Sequence, residues 1–287
     1  MPEDSTVEDI ARHALEGNRD ALNALVRALQ DDVYRLAIRM LWNREDAEDA
    51  TQDILVRVVT RLSQFDFRSQ LKTWVYRIGV NYLLDVKKSP VERMHLSFGQ
   101  FADDLAQGLS TDGPDDAERS VLTEEVKIGC TLGMLQCLDR PHRLAYILGD
   151  ILELSGPEAA EALDVAPSVF RKRLQRARQA ITTFTRAYCG LVSDRASCRC
   201  NHRLPAALRL GRVRPESLDF TRDAVSFEEA RALVRRVDDA RWALEVHRTS
   251  RPRASDIDFA RRMAHMIDAT PDRAASDTHG TVGNRHE

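Results

Sequence analysis

Aromatic residues are scarce in this chain of 287 residues: seventeen, or 6%. Where they gather, the gathering asks for a reason beyond core filling. No apolar run approaches the ~18 residues that a membrane span needs. The opening stretch MPEDSTVEDIARHALEGNRD has no basic end followed by an apolar segment, so no secretory leader is visible and a cytoplasmic location is expected. Cysteines number five, and an odd number in a chain this long argues against a disulfide framework. A large net charge is missing too: at -3 the total gives no general attraction to nucleic acid.

What is present is 43% hydrophobic and 30% charged residues, the balance of a globular chain long enough for about two domains. The charge is segregated. Between Asp103 and Glu125 stand eight acids against Arg119 alone, whereas Arg171, Lys172, Arg173, Arg176 and Arg178 follow one another without an acid. Blocks of opposite sign in a folded chain make distinct faces for distinct partners.

The pattern is helical throughout, so an all-α fold is expected, divided as follows. After a lead of residues 1–18, residues 19–88 carry Ala21, Leu22, Leu25, Leu29, Val33, Leu36 and Ile38 at helical spacing, then a second stripe of Ala47, Ala50, Ile54, Val58 and Leu62. That second stripe leaves Glu48, Asp49, Gln52 and Asp53 outward, where acids suit the helix dipole. A short loop, FDFRSQ, leads to a third helix from about Leu71 to Lys87. Residues 89–120, with scattered glycine and proline, read as an acidic linker. Residues 121–188 are helical again, and within them SGPEAAEALDVAPSVFRKRLQRARQAI gives a short helix opened by Pro157, a tight turn, and a second helix from Pro167. This is the pattern of a helix-turn-helix, with Asp164 where the turn usually has glycine. In residues 189–270, Ser226 and Glu229 form a capping box ahead of one helix, and Ser255 opens another, the two reading as a hairpin. Residues 271–287 are polar and read as a disordered tail.

Two stretches carry chemistry. On the second helix of a helix-turn-helix the first turns enter the major groove, and Lys172, Gln175 and Arg176 share one face while Phe170 and Leu174 point inward. Ser168 and Arg171 complete the candidate DNA-reading set. Five of the seventeen aromatics (Phe65, Phe67, Trp74, Tyr76 and Tyr82) lie within eighteen residues that also hold Arg68, Lys72 and Arg77. Rings beside cations suit the capture of unpaired bases and their phosphates. Trp74, Ile78 and Tyr82, at four-residue steps, equally suit a core stripe.

With these two surfaces in this order, the chain resembles the bacterial RNA polymerase sigma factors of the extracytoplasmic-function type. The resemblance rests on DAEDATQDILVRVV (46–59), FDFRSQLKTWVYRIGVNYLLD (65–85) and LDRPHRLAYILGDILELSGPEAAEALDVAPSVFRKRLQRARQA (138–180). It implies a non-enzymatic subunit that lends core RNA polymerase its promoter specificity, with 19–88 as the strand-opening region and 121–188 as the helix-turn-helix region. On that reading Asp49, Gln52 and Asp53 meet the polymerase. Phe67, Arg68, Ser69, Gln70, Lys72, Arg77 and Asn81 hold the melted minus-ten DNA, and Ser168, Arg171, Lys172, Gln175 and Arg176 read the minus-thirty-five element. Similar loops carry glycine and an acid where this chain has Phe67 and Arg68. An anti-sigma protein is a further partner the resemblance implies. A stand-alone helix-turn-helix regulator with a sensor or dimerisation domain is the alternative, although it leaves the aromatic-basic stretch without a purpose.

The extension opens with Cys189, Cys198, Cys200 and His202, a C-x8-C-x-C-x-H cluster with enough soft ligands for tetrahedral zinc, though not at the spacing of a common finger. Arg199 between two of the thiols is expected to lower their pKa. Cys130 and Cys137, seven apart on one helix face, read as core.

Overall fold

The computed structural model describes residues 6–86, 90–93, 95–110, 117–221, 232 and 241–268. Within them the regular elements are helices, with one isolated β-bridge between Cys189 and Cys198. The first, α1 (Val7–Leu15), opens on a reciprocal cap between Thr6 and Asp9 and lies on α2 (Arg19–Leu41). The stripe read from the sequence is buried except for half-buried Leu22, and the C-terminal half of α2 goes further, with Tyr34, Ala37, Arg39, Met40 and Leu41 also inside. A helix buried nearly all round is a hub, and α2 touches α1, α3, α4, α7 and α8. It stops at Trp42, whose backbone turns left-handed at φ 52°, and Asn43 caps the next helix at once by accepting from the Asp46 N–H at 2.8 Å.

α3 (Arg44–Thr60) buries Ala47, Ala50, Ile54 and Val58 as the spacing requires. Each fully buried leucine or isoleucine on these helices contributes ~1.5–3 kcal/mol of apolar transfer. α4 (Leu71–Asp85) has no cap from its own Gln70; Glu8 of α1 supplies one by accepting from the Leu71 N–H at 3.1 Å. Gly79 lets α4 close on α2, since a methyl group there would stand 3.2 Å from Leu36 Cδ2.

The segment expected as a linker is folded where it is described. α5 (Pro90–Arg93) and α6 (Phe98–Ala106) occupy it, and α7 (Ala117–Gln136) begins before residue 121. The physical reason lies in three features: Ser97 and Gln100 form a capping box, Gly108 supplies the left-handed stop at φ 67°, and Phe98 and Phe101 pack on Phe184 at ring distances of 5.2 and 5.6 Å.

α8 (Arg140–Tyr146) runs into a π turn, Ile147–Ile151, and is followed by α9 (Gly156–Ala162) and α10 (Pro167–Tyr188). One hydrophobic cluster reaches from Ala11 through α7, α8 and α10 to Met263, so the two expected domains share a core. Two arginines of α8 bind the halves. Arg143, 2% exposed, donates to the carbonyls of Met40 (2.7 Å), Leu135 (2.9 Å) and Leu138 (3.0 Å), and pairs with Glu92 at 2.9 Å. Arg140 donates to Leu83, Leu84 and Val86 carbonyls at 2.9 Å and pairs with Glu92 at 2.7 Å. The spare carbonyls at the ends of α2, α4 and α7 thus meet cations, as helix C-termini favour.

The extension adds α11 (Cys200–Arg209), α12 (Trp242–Thr249) and α13 (Phe259–Asp268). The expected Ser226–Glu229 box and the tail from residue 271 lie outside the described residues. α12 packs on α10 and the π turn, whereas α13 packs on α2. The second helix of the expected hairpin starts later than Ser255: Asp258 caps it, accepting from the Arg261 N–H at 3.0 Å.

Candidate nucleic-acid and polymerase surfaces

The helix-turn-helix is built as its sequence demands. Ser155 and Glu158 cap α9 reciprocally, Pro157 sits in the first turn, and Asp164 takes the left-handed turn position at φ 51°. The N–H of Val165 returns to the Ala160 carbonyl at 3.1 Å, closing the helix end, and Pro167 starts α10. Phe170, Leu174 and Ala177 are buried, which turns Ser168, Arg171, Lys172, Gln175 and Arg176 outward, all exposed on the first turns of α10. Arg178 differs from these: Asp150, buried in the π turn, holds it at 2.6 and 2.8 Å, so it braces the motif.

In the aromatic-basic loop the structure separates packing from surface. Phe65 is buried, with Phe67 at 4.6 Å and Trp74 at 5.4 Å between ring centres. Phe67 adopts φ 58°, the backbone that glycine takes freely, and its half-buried ring carries the Arg12 guanidinium at 4.8 Å. Arg68 is exposed and paired with Asp66; Lys72 is paired with Asp32 at 2.7 Å. Gln70, Arg77 and Asn81 are exposed along α4, and Ser69 is half-buried. Lys72 and Gln70 also line a cleft of about 700 Å³ with Tyr76, Leu154, Glu158 and Arg248, where α9 lies against α4. The role of α1 is not legible in the sequence. The Thr6–Asp9 box signals a helix there, but nothing local indicates that Glu8 and Arg12 reach the loop.

The α3 face is acidic. Asp49 is exposed, and Asp53 accepts from the Tyr82 hydroxyl at 2.9 Å; partial burial, with this bond to Asp53, pushes that hydroxyl up to about 12. Arg57 stands 4.6 Å from the centre of the same ring. Gln52 is half-buried, bonded through Oε1 to Arg262 at 2.9 Å.

Residues 25–89 match the family model Sigma-70 region 2. The chain is 30% identical over 171 residues to the ECF RNA polymerase sigma factor SigW of Bacillus subtilis (58% of this chain, 89% of that protein). It is 29% identical over 182 residues to the sigma factor NccH of Alcaligenes xylosoxydans (63% and 96%). It belongs to the extracytoplasmic-function sigma factors. Among solved structures, CnrH in complex with the cytosolic domain of CnrY aligns at TM-score 0.44 and 23% identity, over 61% of this chain and 93% of that one.

About two fifths of this sigma factor lies beyond the SigW match, and the thiols of its extension behave differently from expectation. Among the described residues no group of three or more His, Cys, Asp or Glu is arranged to hold a metal ion. The His202 backbone carbonyl accepts from the Ser110 N–H at 3.0 Å. Burial pushes the Cys198 thiol up to about 11 and that of Cys200 well up, overriding the cations around them; Arg199 is turned to the Ala196 carbonyl at 2.9 Å. Cys130 of α7 feels all three extension thiols and is raised by burial and by them. Two acids of the 103–125 run have partners in the extension: Asp104 holds Arg203 (2.9 Å) and Arg212 (2.5 Å), and Glu125 accepts from the N–H groups of Asp219, Phe220 and Thr221.

Proposed function

We propose that this sigma factor meets core RNA polymerase through Asp49, Gln52 and Asp53, reads the minus-thirty-five element with Ser168, Arg171, Lys172, Gln175 and Arg176, and receives the opened minus-ten strand on Phe67, Arg68, Ser69, Gln70, Lys72, Arg77 and Asn81. The observation that carries the reading is the outward cationic face of α10, set on a turn whose caps and left-handed Asp164 fix its angle. Arg and Lys on such a face grip guanine edges and phosphates. The bond-forming chemistry belongs to the polymerase, so the protein is no enzyme, and it works where transcription takes place, in the cytoplasm. An anti-sigma protein is a partner in this reading; the sigma factor RpoE has been co-crystallised with such a protein, the anti-sigma factor NepR from Bartonella quintana. The decisive experiment is transcription in vitro with purified core polymerase: promoter-specific transcripts are expected only when this protein is added. Binding to operator DNA as a symmetric dimer, with no effect on polymerase, would favour the stand-alone regulator.

No cofactor enters this reading. Zinc in the extension would be held by Cys189, Cys198, Cys200 and His202, and the metal content of the purified protein tests it.

A further inference from the structure

The segment from Ser255 to Met266 lies along the α2–α3 face. Its anchor is apolar: Phe259, Ala260 and Met263, at helical spacing on α13, are 1%, 1% and 4% exposed and join the main core. Its register is polar. Ser255 donates to Glu48 at 2.9 Å, Asp256 pairs with Arg44 at 2.7 Å and Asp258 with Arg27 at 2.9 Å. Arg262 donates to Gln52 Oε1 at 2.9 Å, while Gln52 Nε2 reaches Met266 Sδ at 3.7 Å. The extension therefore covers the Arg44, Glu48 and Gln52 ridge of α3 and borders the neighbouring ridge, on which Asp49 and Asp53 stand exposed.

We propose that residues 255–268 form an intramolecular clasp, so that α13 and core polymerase compete for the α2–α3 face. The proposal rests on the reading that Asp49, Gln52 and Asp53 are the polymerase contact. Two features make the clasp releasable. Its ion pairs are partly open to solvent, Arg27 being 59% and Asp258 40% exposed, so water and salt screen them. Its helix is only ten residues long and is held by one apolar side. A closed clasp lowers the apparent affinity for polymerase by the fraction of molecules in which it is open.

The test uses the full chain. Asp256→Lys with Asp258→Lys places like charges against Arg44 and Arg27 and leaves the apolar anchor intact, so the variant is expected to bind core polymerase about tenfold more tightly. Hydrogen exchange reports the same event in the unaltered protein: amides of 259–268 should lose protection when core polymerase is added. Unchanged affinity together with retained protection of α13 in the polymerase complex overturns the clasp. A separate variant, Asp49→Lys with Asp53→Lys, tells apart the two ways of failing. If it loses polymerase binding while the clasp variant gains nothing, the docking face stands and the clasp falls; if it binds normally, the docking face itself is wrong.

Discussion

Arg143 is one side chain that ties three elements, and its loss should show what holds the two halves together. Its guanidinium is buried, satisfied by carbonyls of α2 and α7 and by Glu92. Arg143→Ala leaves Glu92 short of a partner in a dry place and several carbonyls unmet, a loss of ~3–5 kcal/mol. Urea unfolding followed by circular dichroism measures it, and a loss of a few tenths of a kcal/mol would show that Arg140 suffices. The thiols make a second prediction at this scale. With burial pushing Cys198 up to about 11 and Cys200 well above its ordinary value, few thiolates exist at pH 8. Alkylation of these two cysteines should be slow in the folded protein and fast in urea, read by mass spectrometry of the digested chain. Adjacent charge is legible in the sequence and burial is not, which is why Arg199 looks decisive there and is not. Asp164 is the contrary case: its turn position can be read because the need for a left-handed backbone is local.

At the scale of the element, periodicity discloses α2, α3, α4 and α10, since each buries a stripe that recurs every three or four residues. It misses α6, where Gly99 and Gly108 suggest a loop, although one lies in the first turn and the other is the stop. Nor can it show that Asp104 on α6 and Glu125 on α7 hold the extension, because those contacts join residues about a hundred apart. The candidate DNA-reading residues are legible as a set, since Phe170 and Leu174 fix which side of α10 faces in. Arg176→Ala should cost ~1–3 kcal/mol of promoter binding if the side chain reads a base, with relaxed preference at one position; a smaller loss, uniform across sequences, marks a phosphate contact. Binding titrations on the promoter and on single-base variants distinguish these, and unchanged binding in both Arg171→Ala and Arg176→Ala would remove α10 as the reader. On α4 and its loop, Phe67→Ala with Lys72→Ala should slow open-complex formation on duplex promoters and spare templates with a pre-opened bubble. Equal loss on both templates would mean that the loop supports the fold, through the Phe65 contact and the Asp32 pair, and not the strand.

Across the whole molecule, the extension is seated at several places, and one of them is sensitive to acid. His247 on α12 is 2% exposed, edge-on to Tyr146 at 5.4 Å, and its Nε2 has no hydrogen-bond partner among the described residues. Burial, with Arg39 adding repulsion, pushes its pKa down to about 3 from the usual 6.5. The folded state therefore binds fewer protons than the unfolded one between these values. Stability from this residue is complete above pH 6.5 and is lost progressively as pH falls toward 3. At pH 5 the deficit is 1.5 pH units, or ~2 kcal/mol at 1.36 kcal/mol per unit. Because α12 rests on α10 and the π turn, the same proton loosens the extension from the helix-turn-helix half. His247→Phe keeps a ring against Tyr146 and removes both the titration and the unmet nitrogen, so its stability at pH 7 should equal or exceed that of the parent. Between pH 7 and pH 5 the parent should lose ~2 kcal/mol more than the variant in urea unfolding. Hydrogen exchange of 242–249 should rise with acid in the parent alone. Parallel pH profiles for the two proteins would show that His247 finds a proton-accepting partner on folding, and the acid sensitivity of the extension would then belong to its carboxylates.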